Sequence, residues 1–128
     1  MPNHVHFLLR IEGRAKRIKF MHSFKVYSSA EVRQFLLMEN PANAQRLSYR
    51  YRAQTYKVWE DGYASERVYD AETCLQYLQL MHANPGKEKW SLVGDPVLYP
   101  FSSAAYYASG EQGIPEVSDY RNYFRKHN

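Results

Sequence analysis

The chain has 128 residues, 45% of them hydrophobic, enough for one domain around a single core. Lys plus Arg outnumber Asp plus Glu 17 to 13; the net charge of +4 suits an acidic partner and an ordinary basic surface equally well. The single cysteine, Cys74, excludes an internal disulfide and a cysteine-rich zinc site and fits a reducing cytoplasm, while no signal-peptide pattern opens the chain and no apolar run approaches the roughly eighteen residues of a membrane span.

The first element in chain order is the most informative. Residues 5–11 read as a strand ending near Gly13, and on a strand alternate side chains share a face. His4 and His6 then point one way and Val5 the other. Two imidazoles one strand period apart are able to hold a divalent ion or grip a phosphate, or are simply polar residues on the open face of a half-buried strand. Positives crowd the next stretch: Arg10, Arg14, Lys16, Arg17, Lys19 and Lys25. Ile18, Met21 and Phe24 recur at helical spacing there, which predicts an amphipathic helix over 15–26 whose cationic face is either solvated or tracks phosphates. Ser28-Ser29-Ala30-Glu31 has the capping-box pattern and predicts a second helix with Val32, Phe35 and Leu36 buried, ended by Asn40-Pro41.

Between 42 and 57, Arg46, Arg50, Arg52 and Lys57 interleave with Tyr49, Tyr51 and Tyr56. Cations beside aromatics make a single-strand-binding surface; equally, such a stretch is a strand pair with tyrosines packed across it. Residues 55–60 and 66–69 read as strands flanking a turn at Asp61-Gly62. Asp70 caps the last main helix, with Glu72 in its first turn, Leu75, Leu78 and Met81 as its apolar stripe and Pro85 as its stop. A loop, a Tyr-Pro turn and a short helix from about Ser102 follow.

Met1-Pro2-Asn3-His4-Val5-His6, followed by an apolar run, resembles the His-hydrophobic-His motif of the HUH single-tyrosine transposases. Within that group it is similar to the insertion-sequence-200-like enzymes and the REP-associated tyrosine transposases. Ser23-Phe24-Lys25, Val58-Trp59-Glu60-Asp61-Gly62-Tyr63, His82-Ala83-Asn84-Pro85, Lys89-Trp90 and Tyr99-Pro100-Phe101-Ser102-Ser103-Ala104 follow in the family's order. The resemblance implies a partial HUH domain over 1–107 and a C-terminal tail over 108–128. It implies an α+β fold, a ferredoxin-like antiparallel sheet with helices on one face. Relatives have a strand, a helix and another strand before the motif that are missing here, so the chain is expected to be a shortened reading frame, a fragment, or one that borrows strands from a partner; dimerisation is known in the family.

The resemblance also implies chemistry. In the family the two histidines bind magnesium or manganese and a tyrosine on the last main helix attacks a phosphodiester of single-stranded or hairpin DNA. The products are a 5′-phosphotyrosine link and a free 3′-hydroxyl, so rejoining needs no nucleotide cofactor. His4 and His6 carry over as metal ligands, with Asn84 as a third contact. Arg10, Arg14, Lys16, Arg17, Lys19, Lys25, Arg50 and Arg52 are the expected nucleic-acid contacts. The family's helix ends Tyr-Ile-His-x-Asn-Pro, whereas this one ends Leu80-Met81-His82-Ala83-Asn84-Pro85, with leucine at the nucleophile's position. The nearest phenol, Tyr77, lies two turns before Asn84 and about 20° off its line, about 4.5 Å of rise from the family's position. Tyr77 is the expected catalytic residue of a metal-dependent enzyme of DNA transposition. The alternative is an inactive transposase remnant that only binds structured single-stranded nucleic acid.

Overall fold

No glycine or proline interrupts the chain between Gly13 and Pro41, and the backbone answers with one 26-residue helix, α1 (Arg14–Glu39), about 39 Å long. The computed structural model describes residues 1–46, 48–51, 54–114 and 116–124, with backbone alone for 44, 46, 48–51 and 54–56. The chain divides into two compact units, Leu9–Ser65 and Met1–Leu8 together with Glu66–Asn128.

In the first unit Gly13, at φ 90°, turns the chain into α1, and Asn40 closes it through its N–H to the Leu36 carbonyl. Asn40 then accepts from the Asn43 N–H, and Pro41 sits at the first position of α2 (Pro41–Arg46), where a missing N–H costs nothing. Two predicted helices are thus a single one. The Ser28 hydroxyl donates to the Phe24 carbonyl at 2.5 Å and accepts from the Trp59 indole N–H at 2.8 Å, so it serves mid-helix and caps nothing. The buried stripe is also narrower than predicted: α1 has no fully buried residue, and Ile18 and Phe35 are 51% and 62% exposed. Packing concentrates where Phe20 stacks on Phe24 and Phe24 meets the Trp59 ring at 5.4 Å.

A short antiparallel hairpin, β1 (Ser48–Tyr51) with β2 (Gln54–Tyr56), pairs Ser48 with Tyr56 and Tyr51 with Gln54 across an irregular register. The ferredoxin-like antiparallel sheet is therefore absent, and these are the only strands among the described residues of a predominantly helical chain. Residues 5–11 and 66–69 run as irregular backbone rather than strands. A strand persists only where a neighbour takes up its N–H and C=O groups, and β1 and β2 pair with each other.

In the second unit α3 (Ala71–Ala83) begins and ends at the predicted signals, but of the predicted stripe only Leu78 is buried: Leu75 is exposed and Cys74 takes the inner position. The Asp70 carboxylate accepts from the Thr73 N–H at 2.7 Å and the Thr73 hydroxyl at 2.9 Å, and Glu72 lies in the first turn. Asn84 and Pro85 carry the end of α3 into one turn of 3-10 helix (Asn84–Gly86), and a second such turn spans Pro96–Leu98. The helices α4 (Ala104–Ser109) and α5 (Arg121–Phe124) complete the unit. Its core is small: Cys74, Leu78, Pro85 and Ala104 are buried, and α4 packs against the 96–98 turn.

Candidate functional site

The histidine pair belongs to the second unit, which joins the first eight residues to the segment from Glu66 onward. The His4 and His6 rings meet edge to face with centroids 4.9 Å apart, and His4 lies against the Trp90 ring at 5.5 Å. Trp90 is held by a tight turn after α3, where its N–H and that of Ser91 both donate to the Lys87 carbonyl and the Leu92 N–H donates to that of Pro85. The contact between His4 and Trp90 therefore seats the N-terminal segment beside the turn that begins at Asn84. The histidines come together without a strand.

The chemistry of the pair fits a metal. His4 Nδ1 lies 2.7 Å from the Asn3 side-chain oxygen, an arrangement in which Nδ1 donates and Nε2 keeps its lone pair. Burial, reinforced by His6, the N-terminal ammonium and Lys89, pushes the His4 pKa down, so the ring is neutral and able to ligate at neutral pH. The two rings are 4.9 Å apart between centroids, in edge-to-face contact. No cluster of three or more His, Cys, Asp or Glu suited to an ion occurs among the described residues.

Tyr77 sits on α3 within the same unit, and its hydroxyl donates to the Glu66 carboxylate. That hydrogen bond, then the charge of Glu66 and a little desolvation, raise the phenol's pKa above its ordinary value. Leu80, at the family's nucleophile position, is 58% exposed. His82 belongs to the structure of the unit: its Nε2 is 2.8 Å from the Ser103 hydroxyl at the start of α4, its ring faces Tyr107, and burial lowers its pKa. His82 also lines a shallow cleft of about 240 Å³, with Leu75, Leu78, Gln79, Tyr107, Tyr120 and Arg121.

The expected nucleic-acid contacts divide. Arg14, Lys16 and Lys19 are exposed on α1. Arg10 pairs with Glu12 at 3.3 Å, and the Nε of Arg17 is buried without a hydrogen bond. Lys25 donates to the Glu60 and Gly62 carbonyls at 2.7 and 2.5 Å, tying α1 to the turn at Asp61-Gly62, where Gly62 has φ 71°. The side chain of Arg50 and the whole of Arg52 lie outside the described residues.

Sequence reasoning missed Glu66 and Asn3. The motif's own Asn3 lay next to His4 in plain view, but Glu66 had no signal: it meets Tyr77 through a fold-back that no periodicity encodes. No family model, curated protein or solved structure matches the chain. No helix among the described residues is long and apolar enough to cross a membrane.

Proposed function

We propose that the chain is a transposase-like, DNA-binding enzyme of the HUH single-tyrosine kind, cutting and rejoining single-stranded or hairpin DNA through a 5′-phosphotyrosine link. One observation carries the reading: the histidine pair folds against Trp90, in the unit that also holds Tyr77 and Asn84. The histidines and the other residues are about seventy or more positions apart in the sequence, and the unit that holds them contains two imidazoles, an amide and a phenol. The reading stands on this site and not on a shared sheet.

A bound magnesium or manganese ion would polarise the phosphodiester and offset its charge. His4 and His6 would hold it, and because imidazole ligands bring no negative charge the ion would keep most of its own for the DNA oxygens; Asn84 would be a further contact. The Tyr77 oxygen forms the new bond to phosphorus while the bond to the 3′-oxygen breaks. Arg14, Lys16 and Lys19 provide cations for the phosphate backbone.

Leu80 favours a second reading, a binding module that recognises hairpin DNA and does not cut it. Labelled hairpins incubated with the protein and Mn²⁺, then run under denaturing conditions, separate the two. The first reading expects a DNA-shifted protein band that Tyr77→Phe abolishes while hairpin binding persists. Tight binding with no such band in the wild type would establish the second.

A further inference from the structure

We infer that Glu66 is the general base for Tyr77, taking the phenol's proton as its oxygen attacks the phosphodiester. The inference rests on the transposase reading above and assigns a role to a residue that the sequence motifs pass over.

The geometry is direct. Asp70 fixes where α3 begins, which places Tyr77 near the end of its second turn, and the irregular segment from Glu66 to Asp70 folds back alongside so that the Glu66 carboxylate accepts from the Tyr77 hydroxyl. An ionised carboxylate is an acceptor only, so the phenol's hydrogen is already aimed at Glu66. Glu66 is exposed and Tyr77 partly so, leaving both accessible to a strand of DNA.

The chemistry needs such a partner. A phenol titrating near pH 10 is about 0.1% ionised at neutral pH, and the Glu66 carboxylate makes prior ionisation harder still. The proton must therefore leave during attack. As the Tyr77 oxygen bonds to phosphorus, its proton passes to Glu66, the bond from phosphorus to the 3′-oxygen breaks with its electron pair on oxygen, and water protonates the departing 3′-oxygen. In rejoining, a 3′-hydroxyl attacks the phosphotyrosine, its proton passes to water, and Glu66 returns its proton to the leaving Tyr77 oxygen. Nothing is oxidised or reduced.

The test compares the full chain with Glu66→Gln, Glu66→Asp and Tyr77→Phe, measuring single-turnover adduct formation on a labelled hairpin with Mn²⁺ across pH. Glu66→Gln is expected to slow the adduct about 10²–10⁴-fold at neutral pH with hairpin affinity unchanged, and to lose the acid limb of the wild-type rate profile. Glu66→Asp keeps that limb at an intermediate rate, which guards against a folding defect in the glutamine variant. Wild-type rates in Glu66→Gln beside an inactive Tyr77→Phe would overturn the inference and leave the transposase reading standing. An independent readout is the Tyr77 titration followed by ¹³Cζ-tyrosine NMR: Glu66→Gln should lower it, and an unmoved titration would remove the hydrogen bond and the inference with it. Absence of any wild-type adduct would overturn both readings.

Discussion

Tyr77 and Leu80 stand less than one turn apart on α3 with different surroundings. Tyr77 is engaged by a carboxylate, whereas Leu80 is 58% exposed. Truncating Leu80 should therefore be nearly silent: Leu80→Ala is expected to leave adduct yield unchanged and stability within about 0.5 kcal/mol, checked by the denaturing gel and by urea unfolding. A marked fall in yield would return the chemistry to Leu80's surroundings. The histidines give a pH dependence of definite sign. The folded pKa values of His4 and His82 are lowered, so the unfolded chain takes up protons first as the pH falls. Their contribution to stability is complete above about pH 6.5 and is lost as the pH drops through the folded values. Urea midpoints should fall on acidification, and His82→Gln, which keeps a hydrogen-bonding group near Ser103, should flatten that fall. An unchanged slope in the variant would show that His82 is not held neutral.

At the scale of elements, α3 was legible because its signals are local. Asp70 caps, Glu72 meets the dipole and Pro85 stops, whereas of the expected stripe of Leu75, Leu78 and Met81 only Leu78 is buried, with Cys74 beside it and Leu75 exposed. Leu78→Ala is accordingly expected to cost about 2–5 kcal/mol by calorimetry or urea unfolding, against a smaller loss for Asp70→Ala. The long helix α1 was misread for the converse reason. Ser28-Ser29-Ala30-Glu31 is the same string whether it caps a new helix or lies within an old one; here Ser28 lies mid-helix, donating to the Phe24 carbonyl and accepting from the Trp59 indole 31 positions away. Trp59→Phe should remove that bond and loosen amide protection around residues 57–62; unaltered hydrogen exchange there would deny the contact its role. Strand predictions at 5–11 and 66–69 failed because alternation marks only a capacity to pair, and the described residues supply no partner strand for either. His4 and His6 do lie ring against ring as their spacing suggested, but the strand expected to carry them does not form.

At the scale of the whole molecule, the chain builds two units, and the sequence order hides which residues share one. Met1–Leu8 joins the C-terminal part, so His4 and His6 share a unit with residues about seventy positions downstream, while the expected DNA-binding cations all fall within the span of the other. If Arg14, Lys16 and Lys19 each neutralise a phosphate, replacing all three with glutamine should weaken binding to single strands uniformly and reduce the dependence of log affinity on log salt by about two. A slope equal to wild type would place the phosphate contacts elsewhere. The central claim is that Tyr77 carries the DNA after cleavage. It is tested most directly by digesting the protein–hairpin reaction and identifying the nucleotide-modified peptide by mass spectrometry. A single phosphodiester modification on Tyr77, dependent on Mn²⁺ and on His4 and His6, is expected. A modification on another tyrosine, or none in a preparation that binds the hairpin tightly, would contradict it.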